Sequence, residues 1–171
     1  HSESDVVYDA KETNARAWIW DLALNDTGSP VLVYTTIPDI TEHHYNYAVH
    51  TANGWQNHHI SPGGKWFPQT PEGEKERETE YSGGISINHA DPSTVYLARP
   101  VNDVFEIERW QTPDNGATWT SQTITQNSDK LNVRPVIPRN YPADKIGVLW
   151  MHGTYIHYTH YHTEIRMILE P

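Results

Sequence analysis

Apolar and polar residues alternate with a period of two along most of the chain, and short turn-forming groups interrupt the alternation. The stretch 18–24 (WIWDLAL) is apolar and rich in aromatic rings, and it runs into the turn signal Asn25-Asp26-Thr27-Gly28. The β-branched run 30–36 (PVLVYTT) follows as a strand. The run 45–50 (YNYAVH) alternates, Asn53-Gly54 marks a tight turn, and 55–60 (WQNHHI) returns as its partner. A second group comprises 84–88 (GISIN), 94–98 (TVYLA), 105–111 (FEIERWQ) and 118–125 (TWTSQTIT). In 105–111 the alternation puts Phe105, Ile107 and Arg109 on one face and Glu106, Glu108 and Trp110 on the other. A third group, 133–138, 146–151 and 155–168, ends one strand short. Pro and Gly are scattered throughout, which leaves no room for long helices.

The groups span 15–60, 82–126 and 132–168 and repeat weakly. Tyr34, Tyr96 and Trp150 each end a second strand, and Trp55 and Trp119 each open a fourth. A four-stranded repeat of this length predicts an all-β fold of four-stranded antiparallel propeller blades, with about three blades here. A β-sandwich with coincidental similarity is the alternative. The segment 61–80, with five Glu in 72–80 and Pro at 62, 68 and 71, reads as a solvated loop insertion or as a rim loop over a site.

Composition narrows the function. The 171 residues carry 12 Lys and Arg against 22 Asp and Glu, a formal charge of −10 that opposes nucleic acid as a partner. No apolar run approaches the ~20 residues of a membrane helix, so no membrane partner is expected. The absence of Cys excludes disulfide scaffolds, thiolate zinc sites and Cys nucleophiles. Seven Trp and ten Tyr against two Phe favour half-buried strands and sugar-facing surfaces. The chain begins at His1 without an initiator Met, and a secreted or periplasmic location is the expectation.

Thr112-Pro113-Asp114-Asn115-Gly116-Ala117-Thr118-Trp119 fits the Asp-box pattern S/T-x-D-x-G-x-x-W. Asp114 is suited to accept turn amides, Gly116 to take positive φ, and Trp119 to pack beneath the hairpin, a structural staple. With this turn, the stretches 15–24 (ARAWIWDLAL), 43–48 (HHYNYA), 66–99, 105–119 and 132–161 resemble BNR/Asp-box repeat proteins of the BNR-4 type. Those are similar to seven-bladed β-propeller polysaccharide lyases that act on ulvan or on rhamnose-glucuronate chains. The resemblance implies a β-elimination enzyme on uronic-acid glycans, needing no obligatory cofactor. It also implies that the rest of a propeller, or another copy, completes the fold. A structural zinc or calcium ion stays open. A sialidase-like hydrolase, with Asp21 and Glu80 as its weak carboxylate pair, and a non-catalytic glycan-binding propeller are the alternatives.

A uronate lyase must neutralise a carboxylate, remove the C5 proton and protonate the leaving oxygen. His43 and His44 precede a strand at a junction where a blade feeds an axial funnel, and one is a candidate base or carboxylate partner. Tyr81 opens YSGG and is the candidate acid/base. Arg99 ends a strand and is suited to a bidentate carboxylate contact. The resemblance favours a Tyr and an Arg at these last two positions, with Ala98 where Ser is expected. The charge of Arg134, in an apolar inner strand, requires an anionic ligand or an ion pair. His89 reads as a substrate contact or a hydrogen-bonded turn residue, and Tyr155 as lining the sugar site. His160 and His162 share a strand face with Tyr158 and Glu164, while His157 faces away. With His152 or Glu164 they are weak candidates for zinc.

Overall fold

The computed structural model describes residues 4–39, 41–65, 72–73 and 83–171, and within them eleven strands form three antiparallel sheets. The first sheet runs in order β1 (Arg16–Leu24), β2 (Pro30–Ile37), β3 (His43–Thr51) and β4 (Gly54–Gly64). The second contains β5 (Ile85–Ile87), β6 (Thr94–Val101), β7 (Val104–Gln111) and β8 (Thr120–Thr123), again in chain order. The third has β9 (Leu131–Val136), β10 (Gly147–His157) and β11 (His160–Leu169), with β10 central. The one helix among the described residues is the single turn α1 (Ala10–Thr13), capped by Asp9, whose Oδ1 accepts from the Lys11 amide at 2.7 Å. None is long and apolar enough to cross a membrane.

The chain thus follows its alternation, with two departures. The run 155–168 is not one strand: Tyr155 belongs to β10, and a hairpin at Tyr158-Thr159 pairs His157 with His160. YIHYTHYH lacks the Gly, Asn or Pro that marks the other turns; here the Thr159 hydroxyl lies 2.9 Å from His157 Nδ1. The aromatic repeat also slips. Tyr34 lies on the outer face of the first sheet beside Val7 and Tyr8, whereas Tyr96 and Trp150 both lie between the second and third sheets. A shift of one residue turns a side chain to the opposite face, so Tyr96 points forward to the third sheet and Trp150 back to the second.

Two apolar layers join the sheets. Val31, Val33, Tyr45, Tyr47 and Val49 of the first sheet pack on Ile85, Ile87, Val95 and Leu97 of the second. Tyr96, Ala98, Phe105 and Ile107, on the other face of the second sheet, pack on Val133, Val148 and Trp150 of the third. The middle sheet is therefore covered on both faces. The free face of the third sheet is not: Ile165 and Met167 are 71% and 63% exposed, and they pair in register with Met151 and Leu149.

The turn at 112–119 clamps the second sheet to the first. Asp114 Oδ1 accepts from the Thr118 amide at 2.8 Å, and Oδ2 from the Thr118 hydroxyl at 2.7 Å. These bonds hold the carboxyl below its ordinary pKa. Gly116 takes φ 101° and lies so close that an added Cβ would sit 2.8 Å from the Tyr47 ring. Trp119 donates to the Gly116 carbonyl at 2.9 Å and meets Tyr47 edge-on at 5.3 Å.

The inner strands β1, β5 and β9 lie side by side and are cross-linked by polar groups. Asp21 sits at a register shift in β1; its Oδ2 accepts from the Ile87 amide at 3.0 Å. Ser86 donates to the Pro135 carbonyl and the Arg134 amide to the Gly83 carbonyl, each at 2.7 Å. These links bring Gly83-Gly84 into the centre of the candidate residues.

Candidate functional site

The candidate residues divide into groups that the fold closes and one group that it opens. His43 is closed. It is 1% exposed, its ring meets Tyr45 edge-on at 5.3 Å, and its Nδ1 lies 3.2 Å from the Lys65 carbonyl. A carbonyl only accepts, so Nδ1 carries the proton of a neutral ring. Burial pushes the pKa down to about 4, aided by His44 and opposed by the Lys65 carbonyl. A Cβ at Gly63 would sit 2.3 Å from His43 Nε2, so the glycine makes room for the ring.

Arg99 is closed as well. Its Nε and Nη2 donate to Glu108 Oε2 and Oε1 at 2.7 and 2.9 Å, a bidentate pair across β6 and β7. Trp110 Nε1 donates to the same carboxylate at 2.8 Å, which keeps this buried charge satisfied. His89 reaches Asp21 at 3.1 Å, the carboxylate that also holds β5. His44 faces away from this region, towards His59 and Glu42. Tyr81 and Glu80 lie outside the described residues.

The open group is centred on Arg134. Its backbone takes φ 57°, a left-handed conformation that costs a non-glycine residue on the order of 1 kcal/mol within a strand. The guanidinium lies 4.9 Å from the centre of the Tyr155 ring, and Nη2 donates to the Tyr155 hydroxyl at 2.9 Å. Tyr155 is buried and stacks on Tyr161 at 5.8 Å, so the arginine rests on a fixed base.

Arg134 lines a cleft of about 390 Å³ together with Trp18, Trp20, Gly84, Ser86 and Val136. Trp18 is 52% exposed. Trp20 is half-buried and fixed by a 2.7 Å bond from Nε1 to the Thr35 hydroxyl. The glycine matters here, because Gly84 takes φ 86° and brings its backbone against Arg134 and Trp20. An arginine and two indoles along one cleft form a lining suited to a ligand that has both a carboxylate and apolar C–H faces. Comparisons with protein-family models, curated proteins and solved structures found no match to this chain.

The tryptophans of this cleft were legible as a pattern, since W-x-W puts both indoles on one face of β1. The positive φ of Arg134 had no signal in Asn-Val-Arg-Pro-Val.

The zinc candidates do not come together. His152 is buried, with Nδ1 2.9 Å from Asn132 Oδ1. His160 and His162 are exposed on β11. Among the described residues, no group of three or more His, Asp or Glu side chains is arranged to hold a metal. Glu106, also buried, accepts from Thr125, Ser128 and Asn132 and ties β7 to the start of the third sheet.

Proposed function

We propose that the three sheets are blades of a larger β-propeller whose inner-strand cleft binds a uronic-acid-containing glycan. The observation that carries this reading is Arg134, an exposed residue that lines a cleft with Trp18 and Trp20 and whose guanidinium is held on Tyr155. The guanidinium matches a sugar carboxylate, and the indoles match the C–H faces of the ring. The bare apolar face of the third sheet supports the propeller, because an apolar blade face is buried on a neighbouring blade.

We further propose that the activity is β-elimination. A base takes the C5 proton, its electron pair forms the C4–C5 double bond, the C4–O4 bond breaks, and the departing oxygen gains a proton. Arg134 takes the carboxylate-neutralising role, because it is exposed on the cleft and its guanidinium is oriented by Tyr155. Tyr81, two residues before Gly83, is the proposed acid/base. Neutral His43 has no path to the cleft through its packing against Tyr45 and Gly63, and we assign it to the fold.

The closed state of Arg99 and His43 favours one second reading, a propeller that binds acidic glycans without cleaving them. Incubation with polyglucuronate and ulvan, followed by near-ultraviolet absorbance, separates the two. An unsaturated uronate product that is lost in Tyr81→Phe supports the lyase. Binding without absorbance supports the second reading, and reducing ends without absorbance sink the lyase in favour of a hydrolase.

A further inference from the structure

A second cavity, of about 880 Å³, lies on the opposite side of the first sheet, between its outer face and the N-terminal segment. Its floor is one face of three adjacent strands: Tyr34 and Thr36 from β2, His44 and Asn46 from β3, and Trp55, Asn57 and His59 from β4. That face differs in kind from the free face of the third sheet, where Leu149, Ile165 and Met167 are aliphatic or thioether side chains. A packing surface is built from such residues. A floor of amide, hydroxyl, imidazole and aromatic groups is built for a ligand with hydroxyls and C–H faces.

The polar groups are already positioned by bonds among themselves. Tyr34 donates to Asn57 Oδ1 at 2.8 Å, and Asn57 donates to the Val7 carbonyl at 2.9 Å, which straps the N-terminal segment over the floor. Asn46 donates to the Thr36 hydroxyl at 2.9 Å. His44 Nδ1 and His59 Nε2 are 3.1 Å apart, and His44 Nε2 is 3.2 Å from Glu42. One proton lies between the two rings, while the other His44 nitrogen is buried near the Glu42 carboxylate without a hydrogen bond to it.

Charge then selects among hydroxyl-bearing ligands. Among the described residues the lining includes Asp9, Glu12 and Glu42 and no Lys or Arg. An acidic sugar meets repulsion here and a guanidinium in the inner cleft. We infer that the outer cavity is a second saccharide site, selective for uncharged sugars. This inference stands apart from the lyase reading and from the inner cleft.

The test is calorimetric titration of the intact chain with cellohexaose, xylohexaose and mannohexaose, using oligoglucuronate and spermidine as charged controls. Binding of at least one neutral hexamer is expected, weakened about tenfold or more in Trp55→Ala, the loss of one stacked ring at ~1.4 kcal/mol per decade. Because Trp55 also packs beside Leu32 and Ala48, the exposed His59→Ala is the second variant; it is expected to weaken binding while leaving the unfolding midpoint unchanged. Arg134→Ala is expected to leave neutral binding intact. The inference is overturned if none of the hexamers binds at millimolar concentration or if both outer variants bind as the parent does. It is also overturned if Arg134→Ala removes the neutral binding, or if spermidine binds more tightly and loses that binding in Glu42→Gln.

Discussion

Arg99 and Arg134 stand on either side of the Gly83-Gly84 segment, and the fold treats them in opposite ways. Arg99 lies on a regular strand with both faces of its sheet covered, and its guanidinium is matched to the carboxylate of Glu108. Arg134 sits at φ 57° on an inner strand, rests on the ring of Tyr155, and lines an open cleft with Trp18. The first is a component of the interior. The second keeps an unfavourable backbone conformation and presents its charge at a surface, the combination expected where structure is held for binding.

If the closed side belongs to the fold, it should respond to acid as the fold does. Buried neutral His43 has its pKa lowered to about 4, against about 6.5 in the unfolded chain. The unfolded state therefore takes up its proton first as pH falls. Stability present above pH 6.5 is lost progressively down to pH 4, by about 3 kcal/mol from this group. Urea unfolding at pH 7 and pH 4.5 should show this loss, and His43→Phe should remove most of the pH dependence in that window. A slope unchanged in the variant would put the acid sensitivity elsewhere.

A smaller effect is expected from Arg99→Ala, which leaves Glu108 buried with only the Trp110 N–H for compensation. Since the Arg99 side chain is 31% exposed, the loss is discounted to about 2 kcal/mol. Glycan binding by the refolded variant should be unchanged; a specific loss of binding would return Arg99 to the site.

On the open side the smallest stability effect is diagnostic. Arg134→Gly and Arg134→Ala both remove the charge, but only glycine accepts φ 57° without strain. The glycine variant should be more stable than the alanine variant by about 1 kcal/mol. Equal unfolding midpoints would argue that the backbone relaxes and that Arg134 is not held under strain.

Much of the scaffold was legible because its signals are local. Val31, Val33, Tyr45 and Tyr47 alternate on successive strands, and Asn53-Gly54 and Asp114-Asn115-Gly116 mark turns that occur where they stand. The hairpin at Tyr158-Thr159 was not legible, because its residues carry no turn preference and pairing across β10 and β11 decides it. The same division applies to the site. Arg99, His43 and Arg134 were readable as charged or titratable groups at strand ends or in apolar strands. Which of them would be neutralised depended on Glu108, the Lys65 carbonyl and Tyr155, partners set by register and by contacts distant in sequence. The polar face shared by Tyr34, His44 and His59 likewise emerges only when three strands are laid side by side.

The most direct measurement is the affinity of the inner cleft for an acidic oligosaccharide. Oligoglucuronate should be titrated into the parent chain and into Arg134→Ala under identical salt. Loss of a charge-assisted contact of about 1.5–3 kcal/mol predicts weakening on the order of tenfold to a hundredfold, with the unfolding midpoint nearly unmoved. Equal affinity in the two proteins would contradict the assignment of Arg134 as the carboxylate-binding group and, with it, the inner cleft as the glycan site.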